Sequence, residues 1–233
     1  QLVQDAQAVL RPAEALRLAQ LVRTFTLRTS EGFVENFGPA LIARVSAEAP
    51  GVRLCFVQTP DKDSTPLRDG IVDLETGVVG KSTAPELRVQ ALFRDRFIGV
   101  VRLGHPLSQG EMTPHRYATG KHILVSRRGF DRGMIDEALK PLGLERQIVT
   151  IVSGFSTALV LARASDLIAS VPERHTAKLR AGMHSFPLPI ATPEITVSLH
   201  WHPRMDADPA HRWLRGCVRE VCAERLIRPS IDG

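Results

Sequence analysis

The chain is short of cysteine, carries no catalytic signature and contains no long apolar run. Its three cysteines, Cys55, Cys217 and Cys222, are odd in number, which argues against a disulfide framework and fits a reducing cytoplasm. Cys55 lies in an apolar strand pattern and is expected in the core. No apolar stretch approaches the ~20 residues that cross a bilayer, so a cytoplasmic protein without a membrane partner is expected. The opening Gln1-Leu2-Val3-Gln4-Asp5 has neither the basic nor the apolar region of an export signal. It also lacks an initiator Met, so the chain is expected to begin partway through a longer protein. The formal charge of +5 comes largely from arginines spread along the whole length. A dedicated nucleic-acid stripe would be clustered.

Enzyme motifs are missing as well. There is no His-Glu-x-x-His, no paired Cys-x-x-Cys, no Gly-x-Ser-x-Gly and no Gly-x-Gly-x-x-Gly. The segment Gly77-Val78-Val79-Gly80-Lys81-Ser82 places two residues between its glycines where a phosphate loop needs four. His200 and His202 would share one face of a strand, but no further ligand lies nearby in sequence, and surface or interface histidines are the plainer reading. Asp61-Lys62-Asp63 reads as a solvated loop and His105 as a structural turn residue. No catalytic residue, metal or cofactor is therefore expected, and the chain does not read as an enzyme.

What remains is the pattern of a globular α/β protein. Its 233 residues, 43% apolar and 24% charged, suit one large or two small α/β domains. Leu2, Ala6, Val9, Ala13 and Leu16 follow a heptad seam, which Pro12 interrupts; a helix over about residues 1–11 is expected. Phe25 and Leu27 alternate inward as in a strand. Ser30 is a candidate N-cap, and Phe33, Phe37, Leu41 and Val45 trace one helical face. A strand follows Pro50-Gly51. After Leu67-Arg68-Asp69, Gly70 suits a helix C′ position, and Ile71-Val72-Asp73-Leu74 is expected to open a buried strand. Up to residue 80 the reading is β-α-β-α-β on a parallel sheet. Residues 87–103 form two extended segments. A second series follows, with strands near 123–125, 148–152 and 167–171 and helices at 132–142 and 156–164. A strand at 195–201 and an amphipathic helix at 209–226 close the chain; Trp213, Cys217 and Val221 make its inward stripe.

Several of these segments, in order, resemble the effector-binding domain of LysR-type bacterial transcriptional regulators. The element around Leu67, Gly70 and Asp73 carries the family's "L..G..D" wording. Gly104-His105-Pro106-Leu107 matches its "HPL" turn, and Ser165-Asp166-Leu167 running to Pro172 is similar to its late strand. Gly143-Leu144-Glu145-Arg146 is like the branch related to nodulation regulators. Two departures stand out: Asp73-Leu74-Glu75 puts an acidic residue where an apolar one is common, and Ala164-Ser165-Asp166 lacks the usual glycines.

The resemblance implies an α/β fold of two Rossmann-like lobes of periplasmic-binding-protein type II architecture, joined by two crossover strands near 93–101 and 190–199. Residues 1–22 would be the end of a linker helix and connector, 23–96 plus 197–233 lobe one, and 97–196 lobe two. It implies a homodimer or homotetramer that pairs the helix around 37–45 with the one around 134–142. The DNA-binding winged helix-turn-helix would lie upstream, with RNA polymerase as a further partner. A small-molecule effector, anionic or aromatic, would sit at the carboxyl ends of the strands. Thr29 and Ser30 would face Ser126, Arg127, Ser153, Gly154, Phe155 and Ser156 across the crevice. Hydroxyls and a guanidinium would suit a carboxylate, and Phe155 a ring. A solute-binding protein for transport, which shares the fold, is the rival.

Overall fold

The structure is a computed structural model that describes residues 17–58, 63–79, 84–126 and 131–227. The heptad segment, Arg127, and residues 59–62 and 80–83 lie outside the described residues.

In β1 (Arg23–Thr29), Phe25 and Leu27 are fully buried, as the period-two pattern requires. Ser30 accepts a hydrogen bond from the Phe33 N–H (3.3 Å) and starts α1 (Glu31–Glu48). Phe33, Phe37, Leu41 and Val45 all face inward from it. β2 (Val52–Gln58), α2 (Thr65–Asp69) and β3 (Leu74–Val78) follow. Gly70 ends α2 with φ 79°, a left-handed conformation that favours glycine, and a Cβ there would meet the Arg204 guanidinium at 2.5 Å. The strand after it starts later than the apolar run suggests. Ile71 is exposed, and the Asp73 carboxylate accepts from the Thr26 N–H (2.8 Å), so ladder pairing begins at Leu74.

β4 (Arg88–Asp95) and β5 (Phe97–Arg102) are separated by Arg96 alone, yet they belong to different sheets. The second series is α3 (Pro114–Ala118), β6 (Lys121–Val125), α4 (Met134–Leu139), β7 (Gln147–Val152), α5 (Phe155–Arg163), β8 (Ile168–Pro172) and β9 (Met183–Pro187). β10 (Ile195–Trp201) returns to the first sheet, and α6 (Pro209–Ile227) packs on α1. The strand orders are β2-β1-β3-β10-β4 and β7-β6-β8-β5-β9. Each sheet is parallel on one side, where β1 or β6 pairs, and antiparallel on the other, where β10 or β5 does. The β-α-β-α-β run up to residue 80 is parallel as expected, and the returning strand β10 then joins it antiparallel. The fold is the expected pair of α/β lobes of periplasmic-binding-protein type II architecture.

Lobe one's core is aromatic, with Phe25, Phe33, Phe37 and Phe93 buried beside Cys217 and Val221 of α6. In lobe two, Ala158, Ala162 and Ala169 let α5 lie close on one face of the sheet, while Tyr117 and Phe186 fill the other. Gly99 is required there, since a Cβ would stand 2.2 Å from the Phe186 ring. One expectation fails: Cys55 is exposed, because β2 is the edge strand of its sheet. Among the described residues no helix is long and apolar enough to cross a membrane.

Candidate functional site

The two lobes are joined at the carboxylate of Asp95, the last residue of β4. It accepts from the backbone N–H groups of Arg96 (2.8 Å), Arg174 (2.9 Å) and His175 (3.1 Å), and from His175 Nδ1 (2.8 Å). Burial alone would raise its pKa, but the His175 side chain and these amides outweigh it and hold the pKa below the ordinary value. Such a carboxylate keeps its charge because donors replace lost water. Residues 173–175 are thereby strapped to the β4–β5 crossover, with the Glu173 N–H donating to the Arg96 carbonyl (2.9 Å). From lobe one, Asn36 donates to the Arg174 carbonyl (2.7 Å), and Gly32 lies against His175. The first turns of α1 are therefore fixed by lobe two.

The expected site residues gather at the carboxyl ends of β1, β6 and β7. Thr29 ends β1, is buried, and pairs its hydroxyl with that of Thr76. Ser30 is half-buried and caps α1. Ser126 follows β6 and donates its N–H to the Val152 carbonyl (2.8 Å), which ties the ends of β6 and β7 together. Arg127 is outside the described residues. Ser153 is exposed; Gly154 is buried and is the N-cap of α5, without a side-chain cap. Phe155 and Ser156 are half-buried in the first turn. The Phe155 ring meets Phe97 edge-on at 6.0 Å and packs on the lobe-two core, so part of it is committed to the fold rather than free to stack. No hydrogen bond joins Ser30 to Ser126, Ser153 or Ser156.

One side chain of lobe one that comes close to Gly154 is one the sequence reading passed over. Glu31, the first residue of α1, brings Oε2 to 2.9 Å from where a Cβ on Gly154 would stand, and its Oε1 accepts from Gln58 at the end of β2. The signal for it was modest: an acidic residue directly after a serine cap. Asp95 and His175 were missed because nothing local marks a hinge formed by residues 80 positions apart.

Other candidates resolve as structure. His105 accepts from the Leu107 N–H at 3.0 Å and contacts the Asp166 carbonyl at 3.1 Å, a turn role as expected. His200 is buried beside Glu75 across the ladder, rather than at a surface, and His202 caps the turn after β10. Among the described residues no cluster of His, Cys, Asp or Glu suits a metal ion.

Two lobes hinged beneath a crevice, with strand ends and helix N-termini facing it, define a ligand-sensing or ligand-carrying domain. Residues 19–223 match the LysR substrate binding domain, and the chain belongs to that family. Over 210 residues it is 27% identical to the HTH-type transcriptional activator NagR of a Ralstonia species, covering 87% of this chain and 68% of NagR. It is 32% identical over 181 residues to the HTH-type transcriptional regulator SyrM of Rhizobium meliloti strain 1021, covering 76% of this chain and 55% of SyrM. The chain thus spans roughly half to two thirds of these curated relatives. Among solved structures it superposes on the regulatory domain of MexT, a transcriptional activator of Pseudomonas aeruginosa, with TM-score 0.73 and 25% identity. That match covers 87% of this chain and all of the other.

Proposed function

We propose that this chain is the effector-sensing regulatory domain of a LysR-type transcriptional regulator. In the whole protein it would follow a DNA-binding winged helix-turn-helix. The family match carries this reading, and its relatives are transcription regulators rather than enzymes or transport proteins. A ligand that prefers one lobe closure shifts the population toward it, and closure would reposition the DNA-binding domains and their contact with RNA polymerase. The protein would act in the cytoplasm.

For the division of the chain we propose residues 23–96 plus 197–233 as lobe one, 97–196 as lobe two and 1–22 as connector. Strand membership of the two sheets supports it. The effector would be small and anionic or aromatic, held by Thr29, Ser30, Ser126, Arg127 and residues 153–156. What supports this is the meeting of the α1 and α5 N-termini at the crevice, since free N–H groups there favour anions. A thermal-shift screen of small organic acids tests it on the wild type and on Ser126→Ala combined with Ser30→Ala. A ligand that raises the melting temperature of both forms equally binds elsewhere.

Assembly would be an isologous, antiparallel homodimer, or a homotetramer built from it. Ile42 on α1, Met134 and Leu142 at the two ends of the α4 region, and Val149 and Ile151 on edge strand β7 are exposed and apolar. A monomer by sedimentation at high micromolar concentration would overturn this arrangement.

A further inference from the structure

One buried amide on α1 is only half used. Asn36, in the second turn of the helix, is 3% exposed. Its Nδ2 donates to the Arg174 carbonyl at 2.7 Å, while its Oδ1 is buried without a hydrogen-bond partner among the described residues. A carbonyl can only accept, so the amide nitrogen is the group that must face it. The cost of desolvating Oδ1 offsets what the Nδ2 bond contributes, so this amide adds little net stability. Its neighbours on the helix, Phe33 and Phe37, are apolar and belong to the lobe-one core. A polar residue at this place is explained by what it holds.

What it holds belongs to lobe two. Arg174 lies just after β8, in a stretch fixed from several sides. Arg96, the single residue between the two sheets, pairs its guanidinium with the Glu173 carboxylate at 2.7 and 3.4 Å. Asp95 accepts from the Arg174 and His175 N–H groups and from the His175 ring. Within lobe two, Arg180 donates to the Glu173 carbonyl at 2.9 Å and to the Thr176 hydroxyl at 3.2 Å. The bonds to Asp95 and Arg96 gather at the β4–β5 crossover, and contacts gathered at one place leave two bodies free to turn about it. A second attachment from a different element removes that freedom. Asn36 is such an attachment, and one turn earlier Gly32 backs it, its Cβ position 3.7 Å from the His175 Cβ.

We propose that Asn36 is a positioning residue: by tying α1 to residue 174 beside the crossover, it sets the angle between the two lobes. Resting on the effector reading above, a ligand that changes lobe closure has to stretch or break this bond. Asn36 then fixes how wide the crevice stands before a ligand arrives.

The test needs no ligand. Residual dipolar couplings of the backbone amides, measured in the 233-residue chain, report how each lobe is oriented. The proteins compared are the wild type, Asn36→Leu and Asn36→Ala. Leucine keeps the bulk and removes the donor; alanine removes the donor should leucine not fit. In the wild type one alignment tensor is expected to describe both lobes. In the variants each lobe should still fit its own tensor, but the two tensors should differ. The melting temperature of Asn36→Leu should shift by less than about 4 °C, because the lost bond and the removed orphan oxygen offset one another. A stability role alone would do the reverse, lowering the melting temperature and leaving one common tensor. That result overturns the proposal, as would a wild type that already needs two tensors. Either outcome leaves the effector reading intact, and a failed screen of organic acids leaves the lobe angle untouched.

Discussion

The two lobes share a strand order, but they bury charge in different surroundings. In lobe one, Arg28 and Glu75 pair on adjacent strands, Nε to Oε2 at 3.1 Å, and Arg28 also reaches the backbone carbonyl of Asp63. In lobe two, Arg146 grips Asp136 with two bonds of 2.8 and 2.7 Å, and Asp136 in turn accepts from the Gly133 N–H (2.7 Å) at the start of α4. The first pair fastens a strand to a loop; the second fixes a helix to an edge strand. Equivalent folds thus leave the choice of polar anchor free, provided each buried charge finds a partner.

The largest expected effect tests those anchors. The Arg146 side chain is 1% exposed and that of Asp136 15%. Arg146→Ala should lower stability by about 3 kcal/mol, because it strands a largely buried carboxylate. Urea denaturation at pH 7 measures this, and a loss below about 1 kcal/mol would show that water replaces the guanidinium. Lowering the pH acts on the same anchor. Burial disfavours the Asp136 charge, but Arg146 and the Gly133 N–H outweigh it and hold the pKa below the ordinary value. Its stabilisation is present above the unfolded-state pKa and is lost as pH falls through the folded one.

Next in size is an acid effect centred on His122. It is fully buried beneath Tyr117, with Nε2 at 2.8 Å from the Tyr117 carbonyl. Burial pushes its pKa down to about 4. The unfolded chain takes up a proton near pH 6.5 and the folded one does not, so stability declines as pH falls from about 6.5 to about 4. The loss is roughly 1.4 kcal/mol per pH unit, about 3 kcal/mol across the window. In lobe one His200 and His211 are also shifted down, chiefly by burial, so acid weakens both lobes. His122→Gln should remove only the lobe-two share: its urea midpoint should fall less between pH 7 and pH 5 than that of the wild type. Parallel pH curves for the two proteins would place the acid sensitivity in lobe one.

What the sequence disclosed follows the same division. Periodicity exposed α1, α5, α6 and most strands, because their apolar residues recur at spacings that a helix or strand must bury. α3 and β9 went unseen; each has five residues and, unlike β6 and β8 of the same length, no aliphatic run to mark it. Cys55 was misplaced because an apolar run does not say whether its strand lies at a sheet edge. Around the crevice, the strand-end hydroxyls and Gly154 could be read from the punctuation between strand and helix. Glu31 opposite Gly154, and Asp95 beneath His175, could not, since each depends on how the lobes meet.

The smallest expected effect separates the two helix starts at the crevice. Ser30 bonds the first turn of its own helix (3.3 Å to the Phe33 N–H). Ser30→Ala should therefore cost lobe one about 1 kcal/mol, and Ser30→Gly only a few tenths, since glycine is itself an acceptable cap. Ser156 sits in the first turn of α5 but is not its N-cap and makes no cap bond. Ser156→Ala should change ligand-free stability by less than about 0.5 kcal/mol. Chemical denaturation of the three variants side by side measures this contrast. Equal losses in Ser30→Ala and Ser156→Ala would mean that α5 draws on Ser156 as a cap after all. The two helix starts would then be alike. A loss confined to Ser30→Ala keeps them distinct: α1 is finished by its own residue, and α5 is left open toward the crevice.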